Sequence, residues 1–287
     1  MARTFRPWLA LVVLWGFSAF GGEPAIKPHP EVAALVENWQ ELHAKGTAFE
    51  LRPAYQQLQA QAARVAEKLG DDPAAAGAYL VLARCCEVLG EYPEKDAAFE
   101  RYVELLARRS RDQAAAALRE EAERLIADRE LYPVTRVLQL MLRKFPEGPN
   151  AAWASYRLGT AYLWMGDEEK AIEALKRVVE QWPNDPIAVE ATLRLARAYM
   201  AGEDPGEAVA VLEDFLKAHP KSKNRDAALF ALGVAHQMCK DYYSAVATFL
   251  ELARQAPDSP YAPAARAMVA RLRATLIQRL AHRNRNG

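Results

Sequence analysis

Residues 151–183 read AAWASYRLGTAYLWMGDEEKAIEALKRVVEQWP. Leu158, Ala161, Tyr162 and Met165 recur at helical spacing, and Gly166-Asp167 then breaks the run as a helix stop does. A second apolar stripe follows in Ala171, Ile172, Leu175, Val178 and Val179. Pro183 ends it, because a proline lacks the N–H that would continue the hydrogen-bond ladder. The stretch therefore predicts two helices joined by a tight turn, with one apolar side left uncovered.

The same pattern returns every 37 residues. Pro146, Pro183, Pro220 and Pro257 keep that interval, as do Val134, Ala171, Ala208 and Ala245. Leu138, Leu175, Leu212 and Phe249 keep it too, with Leu125, Tyr162, Tyr199 and His236, and with Leu158, Leu195 and Leu232. A period of this size marks stacked supersecondary units, each of which needs neighbours to bury its apolar side. Composition agrees: there are only 14 glycines, and Ala, Leu, Glu and Arg, all good helix formers, outnumber the β-branched residues. Basic and acidic side chains balance at 37 each, so no overall field favours nucleic acid.

These positions resemble the tetratricopeptide repeat. Leu158-Gly159, Tyr162, Ala171, Leu175 and Pro183 match its packing positions, and Leu195-Ala196, Tyr199, Ala208, Leu212 and Pro220 repeat them. Leu232-Gly233, His236, Ala245, Phe249 and Pro257 form a third strong unit. An earlier unit keeps Ala122, Leu125, Val134, Leu138 and Pro146 but has Glu121 where a leucine is expected, and Leu82-Ala83, Cys86, Gly90, Ala98 and Tyr102 look like another. The resemblance implies an all-α, right-handed α-solenoid of helical hairpins with a C-terminal capping helix. The connectors 183–186, 220–223 and 257–260 carry proline followed by polar residues. In this they are similar to the repeats of outer-membrane-assembly lipoproteins and of the periplasmic Tol-Pal cell-division coordinator, which implies a periplasmic adaptor.

The ends read differently. Arg3 and Arg6 precede an uncharged run from Trp8 to Phe20, and Ala19 and Gly21 fit a cleavage pocket, so residues 1–21 read as a secretory signal peptide. The alternative is an uncleaved anchor, although a spanning helix needs about 20 apolar residues. No cysteine adjoins the cleavage site for lipid attachment, so a periplasmic or secreted protein is expected, with its mature chain starting near Gly22. Sequencing the N-terminus of protein from its native host checks this, and an intact Met1 would overturn it. Residues 22–29 read as a linker, 30–73 as N-terminal helices (a degenerate repeat or a cap), 74–260 as the repeat array and 261–287 as a basic capping helix and tail. Cys85, Cys86 and Cys239 are too few for a disulfide framework and read as small buried apolar residues.

No phosphate loop or nucleophile elbow is present, and the five histidines (29, 43, 219, 236, 282) lack partners at metal-ligand spacing. Glu120-Glu121 and Glu168-Glu169 read as solvated faces and His236 as a near-core residue. No catalytic residue, cofactor or metal is therefore expected, and an enzyme is the weakest of three readings. The resemblance implies that each hairpin's first helix lines a concave face. That assigns a partner groove to Trp153, Tyr156, Thr160, Leu163, Trp164, Leu193, Arg197, Met200, Phe230, Val234 and Met238, suited to an apolar peptide or helix. A protein-binding adaptor and a structural subunit of a larger envelope or secretion complex both fit. Arg266, Arg271, Arg273, Arg279, Arg283 and Arg285 follow the last acid, Asp258, while Met268, Val269, Leu272, Leu276 and Leu280 form an apolar stripe. This end reads as a cap on the core in preference to a membrane or polyanion contact.

Overall fold

The computed structural model describes residues 29–47, 49–147 and 150–286, with side chains to residue 278. The expected signal peptide and nearly all of the linker lie outside the described residues. Within them the chain forms thirteen α-helices and two short 3-10 turns, and no strand. It divides into two compact units, residues 1–123 and 124–287.

The first unit contains α1 (Pro30–Ala44), α2 (Arg52–Leu69), α3 (Ala76–Leu89), α4 (Tyr92–Arg109) and most of α5 (Arg111–Ala127). Prolines open α1, α2 and α4 at the first or second position, where no intrahelical donor is needed. α1 buries Val32, Leu35, Val36 and Trp39 in one core with Tyr55, Leu58 and Ala62 of α2 and Val81, Cys85 and Leu89 of α3. The N-terminal helices are thus a hairpin that shares its core with the next one.

The second unit continues with α6 (Leu131–Lys144), then three hairpins: α7 (Ala151–Met165) with α8 (Glu168–Gln181), α9 (Pro186–Ala201) with α10 (Pro205–Ala218), and α11 (Arg225–Met238) with α12 (Tyr242–Gln255). α13 (Ala262–Asn286) closes the array. Each helix packs on the next, and α7, α9 and α11 also touch in succession, so the first helices form one row.

One turn geometry joins α7 to α8, α9 to α10 and α11 to α12. Residues 129, 166, 203 and 240 all take a left-handed backbone, as Arg129, Gly166, Glu203 and Lys240 with φ of 60–74°. The next amide reaches back to the carbonyl five residues earlier: Glu130 to Leu125, Asp167 to Tyr162, Asp204 to Tyr199 and Asp241 to His236. These are the bonds that close a helix end when a left-handed residue follows it. Asp167, Asp204 and Asp241 then cap α8, α10 and α12 by accepting from backbone amides three residues on. Only Gly166 takes this conformation without cost; a residue with a Cβ loses roughly 1–2 kcal/mol there. Lys240→Gly is therefore expected to raise stability by about 1 kcal/mol in chemical denaturation, the strain relief exceeding the entropy cost of glycine.

Ala171, Ala208 and Ala245 are fully buried at equivalent places on the second helices. Ala208→Leu should cost about 1–3 kcal/mol by overpacking, read as a lowered thermal midpoint. Gly159 and Gly233 mark still closer approaches. A Cβ on Gly159 would lie 2.5 Å from Leu175 Cγ, and one on Gly233 2.5 Å from the Phe249 ring.

Candidate functional site

The first helices carry the expected groove residues, and packing sorts them into three groups. Trp164, Arg197 and Met238 are exposed, Trp164 by 57%. Trp153, Leu163, Leu193, Met200, Phe230 and Val234 are half-buried. Tyr156 and Thr160 are buried, which corrects the expectation that both line an open surface. The Thr160 hydroxyl spends its proton on the Tyr156 carbonyl one turn earlier, at 2.9 Å. Phe230 and Val234 pack against the core shared by α11, α12 and α13. The Phe230 ring stacks on Tyr261 at 5.4 Å and meets Phe249 at 5.7 Å, so the cap takes up much of what was expected to be free.

Tyr156 is covered by side chains of the following hairpin. Its hydroxyl donates to the Glu190 carboxylate and accepts from Arg194 Nε at 2.6 Å. Arg194 also bonds Glu190 at 3.2 Å and lies over the Tyr156 ring, 5.3 Å from its centroid. Arg157 sits against the Trp153 and Tyr156 rings at 5.7 and 5.9 Å. The bond from Tyr156, then Arg194 and Arg157, hold Glu190 below the usual carboxylate range. Burial and the bond to Glu190 push the Tyr156 phenol up. The cluster is thus a charged, aromatic tie between α7 and α9. Arg157 and Arg194 were not among the expected site residues, although their spacing of 37 could have flagged them. Beyond the tie, Trp164, Met165, Met200 and Met238 leave aromatic and thioether surface at the C-terminal ends of α7, α9 and α11. Such surface suits an apolar partner segment.

The first unit holds a second cluster. Glu121 is 2% exposed, not solvated as its sequence context suggested. Arg84 bonds it at 2.7 and 3.2 Å, and buried Lys95 lies 3.6 Å away. Glu87 completes the group, 3.0 Å from Arg84 and 3.2 Å from Lys95. Two cations face two carboxylates, so the charges compensate within the core. Burial pushes the neighbouring Tyr102 phenol and Glu120 carboxyl up. Tyr102 is buried and Glu120 half-buried.

Cys85 and Cys86 are buried as expected, and burial pushes the Cys85 thiol up to about 12. Cys239 is exposed just beyond the end of α11, which corrects its reading as buried. His236 is half-buried. Among the described residues no group of three or more His, Cys, Asp or Glu side chains is arranged to hold a metal ion, and no helix is long and apolar enough to cross a membrane.

Residues 149–282, just under half of the chain, match the family model described as "YfiO: Outer membrane lipoprotein". No curated protein matches the chain. Among solved structures, YrrB, described as a TPR protein with an unusual peptide-binding site, is 19% identical over 72% of this chain and 97% of its own, with a TM-score of 0.48. PilW, a type IV pilus biogenesis factor, is 16% identical over 82% and 98%, with a TM-score of 0.46. PilF of Pseudomonas aeruginosa is 18% identical over 82% and 99%, with a TM-score of 0.43.

Proposed function

For a tetratricopeptide-repeat protein, we propose the role of an exported adaptor of the cell envelope that recruits a partner segment along the first-helix row of its second unit. The observation that carries the reading is the exposed Trp164, with exposed Met165 and Met238 and half-buried Met200 also at the C-terminal ends of the first helices. A large ring held 57% open to water on a rigid helix is an unspent apolar anchor, and such rings dominate interface energies. Export is supported by the uncharged run after Arg3 and Arg6 and by the match of residues 149–282 to an outer membrane lipoprotein family.

Trp164→Ala is expected to weaken partner binding by roughly 2 kcal/mol or more while leaving the thermal midpoint unchanged, because the ring is not core. The check is affinity capture from envelope extracts with wild type and variant side by side, followed by titration of the partner that the variant loses. A variant that retains every partner removes the first-helix row as the site. A large stable assembly insensitive to Trp164 points to a structural subunit instead.

A further inference from the structure

Some arginines of the first-helix row are spent on carboxylates and others are not. Arg225 reaches Glu251 at 3.0 Å and Arg194 reaches Glu190 at 3.2 Å. Among the described residues Arg157 and Arg197 form no ion pair. Arg197 is exposed and Arg157 half-buried. Arg157 Nε is closed off from solvent with no acceptor, so no hydrogen bond from that atom holds the side chain.

What holds Arg157 is aromatic. Its guanidinium lies 5.7 Å from the Trp153 ring centroid and 5.9 Å from that of Tyr156, and Arg194 lies 5.3 Å from the same Tyr156 ring. Two guanidiniums thus share one tyrosine. Of the two, Arg194 bonds Glu190, and Arg157 acts on that carboxylate through space alone. A guanidinium fixed by rings gives up little further freedom when it takes a partner. Charge around it is uneven as well. α7 and α9 carry Arg157, Arg194 and Arg197 against Glu190 alone, whereas α10 carries Glu207, Glu213 and Asp214 against Lys217 alone.

We propose that the partner segment recruited along this row is acidic as well as apolar, and that Arg157 and Arg197 bind its carboxylate side chains. The inference rests on the adaptor reading and adds the partner's charge to it. An occupant that is apolar alone would leave both arginines unpaired, and a small free anion would leave Trp164 in water. The spacing of the two kinds of group sets a pattern for the partner. Arg157 and Trp164 stand seven residues apart, nearly two turns, so they share one side of α7 about 10 Å apart along its axis. An extended chain advances about 3.3 Å per residue. The acid and the large apolar residue of the partner therefore fall about three positions apart.

The test is selection of a random peptide library displayed on phage against the full chain. Enriched peptides should carry Asp or Glu about three positions from Trp, Phe, Leu or Met. They are then synthesised with amidated C-termini, so that side chains alone supply the negative charge. Wild type should bind them with an affinity that falls as salt is added. Arg157→Gln/Arg197→Gln should bind them about tenfold or more weakly, and replacing the peptide's acid by its amide should cost wild type as much. Arg197→Glu should also weaken binding while keeping the wild-type thermal midpoint, because that side chain is exposed; it guards against a folding defect at Arg157. Enrichment of neutral or basic peptides, no enrichment, or acidic peptides bound equally by the arginine variants would overturn the proposal. Peptides lost by Trp164→Ala but kept by both arginine variants would overturn the acid and leave the row as the site. Peptides indifferent to all three variants would remove the row as well.

Discussion

Glu121→Ala is expected to destabilise the protein by about 3–5 kcal/mol, because it removes one partner from a buried ion cluster. The carboxylate lies between Arg84 and Lys95 at 2.7 and 3.6 Å, and the Lys95 side chain is only 3% exposed. Without Glu121, half-buried Arg84 and buried Lys95 are left with Glu87 and the more distant Glu120. Leucine, the residue the repeat pattern expects here, should do no better for the same reason. The combined change Arg84→Met/Glu121→Leu removes one charge of each sign and leaves Lys95 with Glu87 at 3.2 Å. It should recover to within about 1 kcal/mol of wild type, since replacing a whole buried pair by apolar residues is often neutral. Urea denaturation of the three variants checks both statements, and a Glu121→Ala variant as stable as wild type would deny the cluster its role.

Phe249→Ala should cost about 3–5 kcal/mol through lost burial and the cavity left behind. Its ring is fully buried and fills the space opened by Gly233, where a Cβ would come within 2.5–2.8 Å of three ring carbons. Gly233→Ala alone should cost about 1–3 kcal/mol, because the ring has no room to retreat. The preceding hairpin holds Ala196 and Leu212 at the corresponding places, both fully buried. Gly233→Ala/Phe249→Leu copies that pairing, and its loss should fall below the sum of the single losses by about 0.5–3 kcal/mol of coupling. Strict additivity in thermal or denaturant unfolding would mean that the two positions do not meet.

The repeat register, the hairpins and their stops were legible in the sequence because they rest on local signals: apolar spacing, a turn residue and a proline. What was not legible depends on how near the next helix comes. Tyr156 and Thr160 have the right spacing for an open face, yet the side chains of α9 close over the first, and the second is buried with its hydroxyl bonded to the backbone one turn back. Phe230 has the spacing of a free anchor, but Tyr261 stacks on its ring. Glu121 was read with its neighbour Glu120 as a solvated pair because nothing local announces that Arg84, 37 residues away, will meet it. Cys239 follows α11 at the turn and faces water, although its residue type favours the interior. The left-handed positions were hidden for a related reason: only Gly166 carries the expected residue, whereas Arg129, Glu203 and Lys240 take the same backbone without it.

The tie at Tyr156 has a mechanical consequence. Between α7 and α9 the phenol, the carboxylate of Glu190 and the guanidinium of Arg194 form directional bonds that resist sliding of one helix along the other. One repeat later the same three places hold Leu193, Ala227 and Ala231. Contacts of that kind hold helices together but let them shear. The joint between α9 and α11 is therefore the more compliant of the two, and bending of the second unit under load concentrates there.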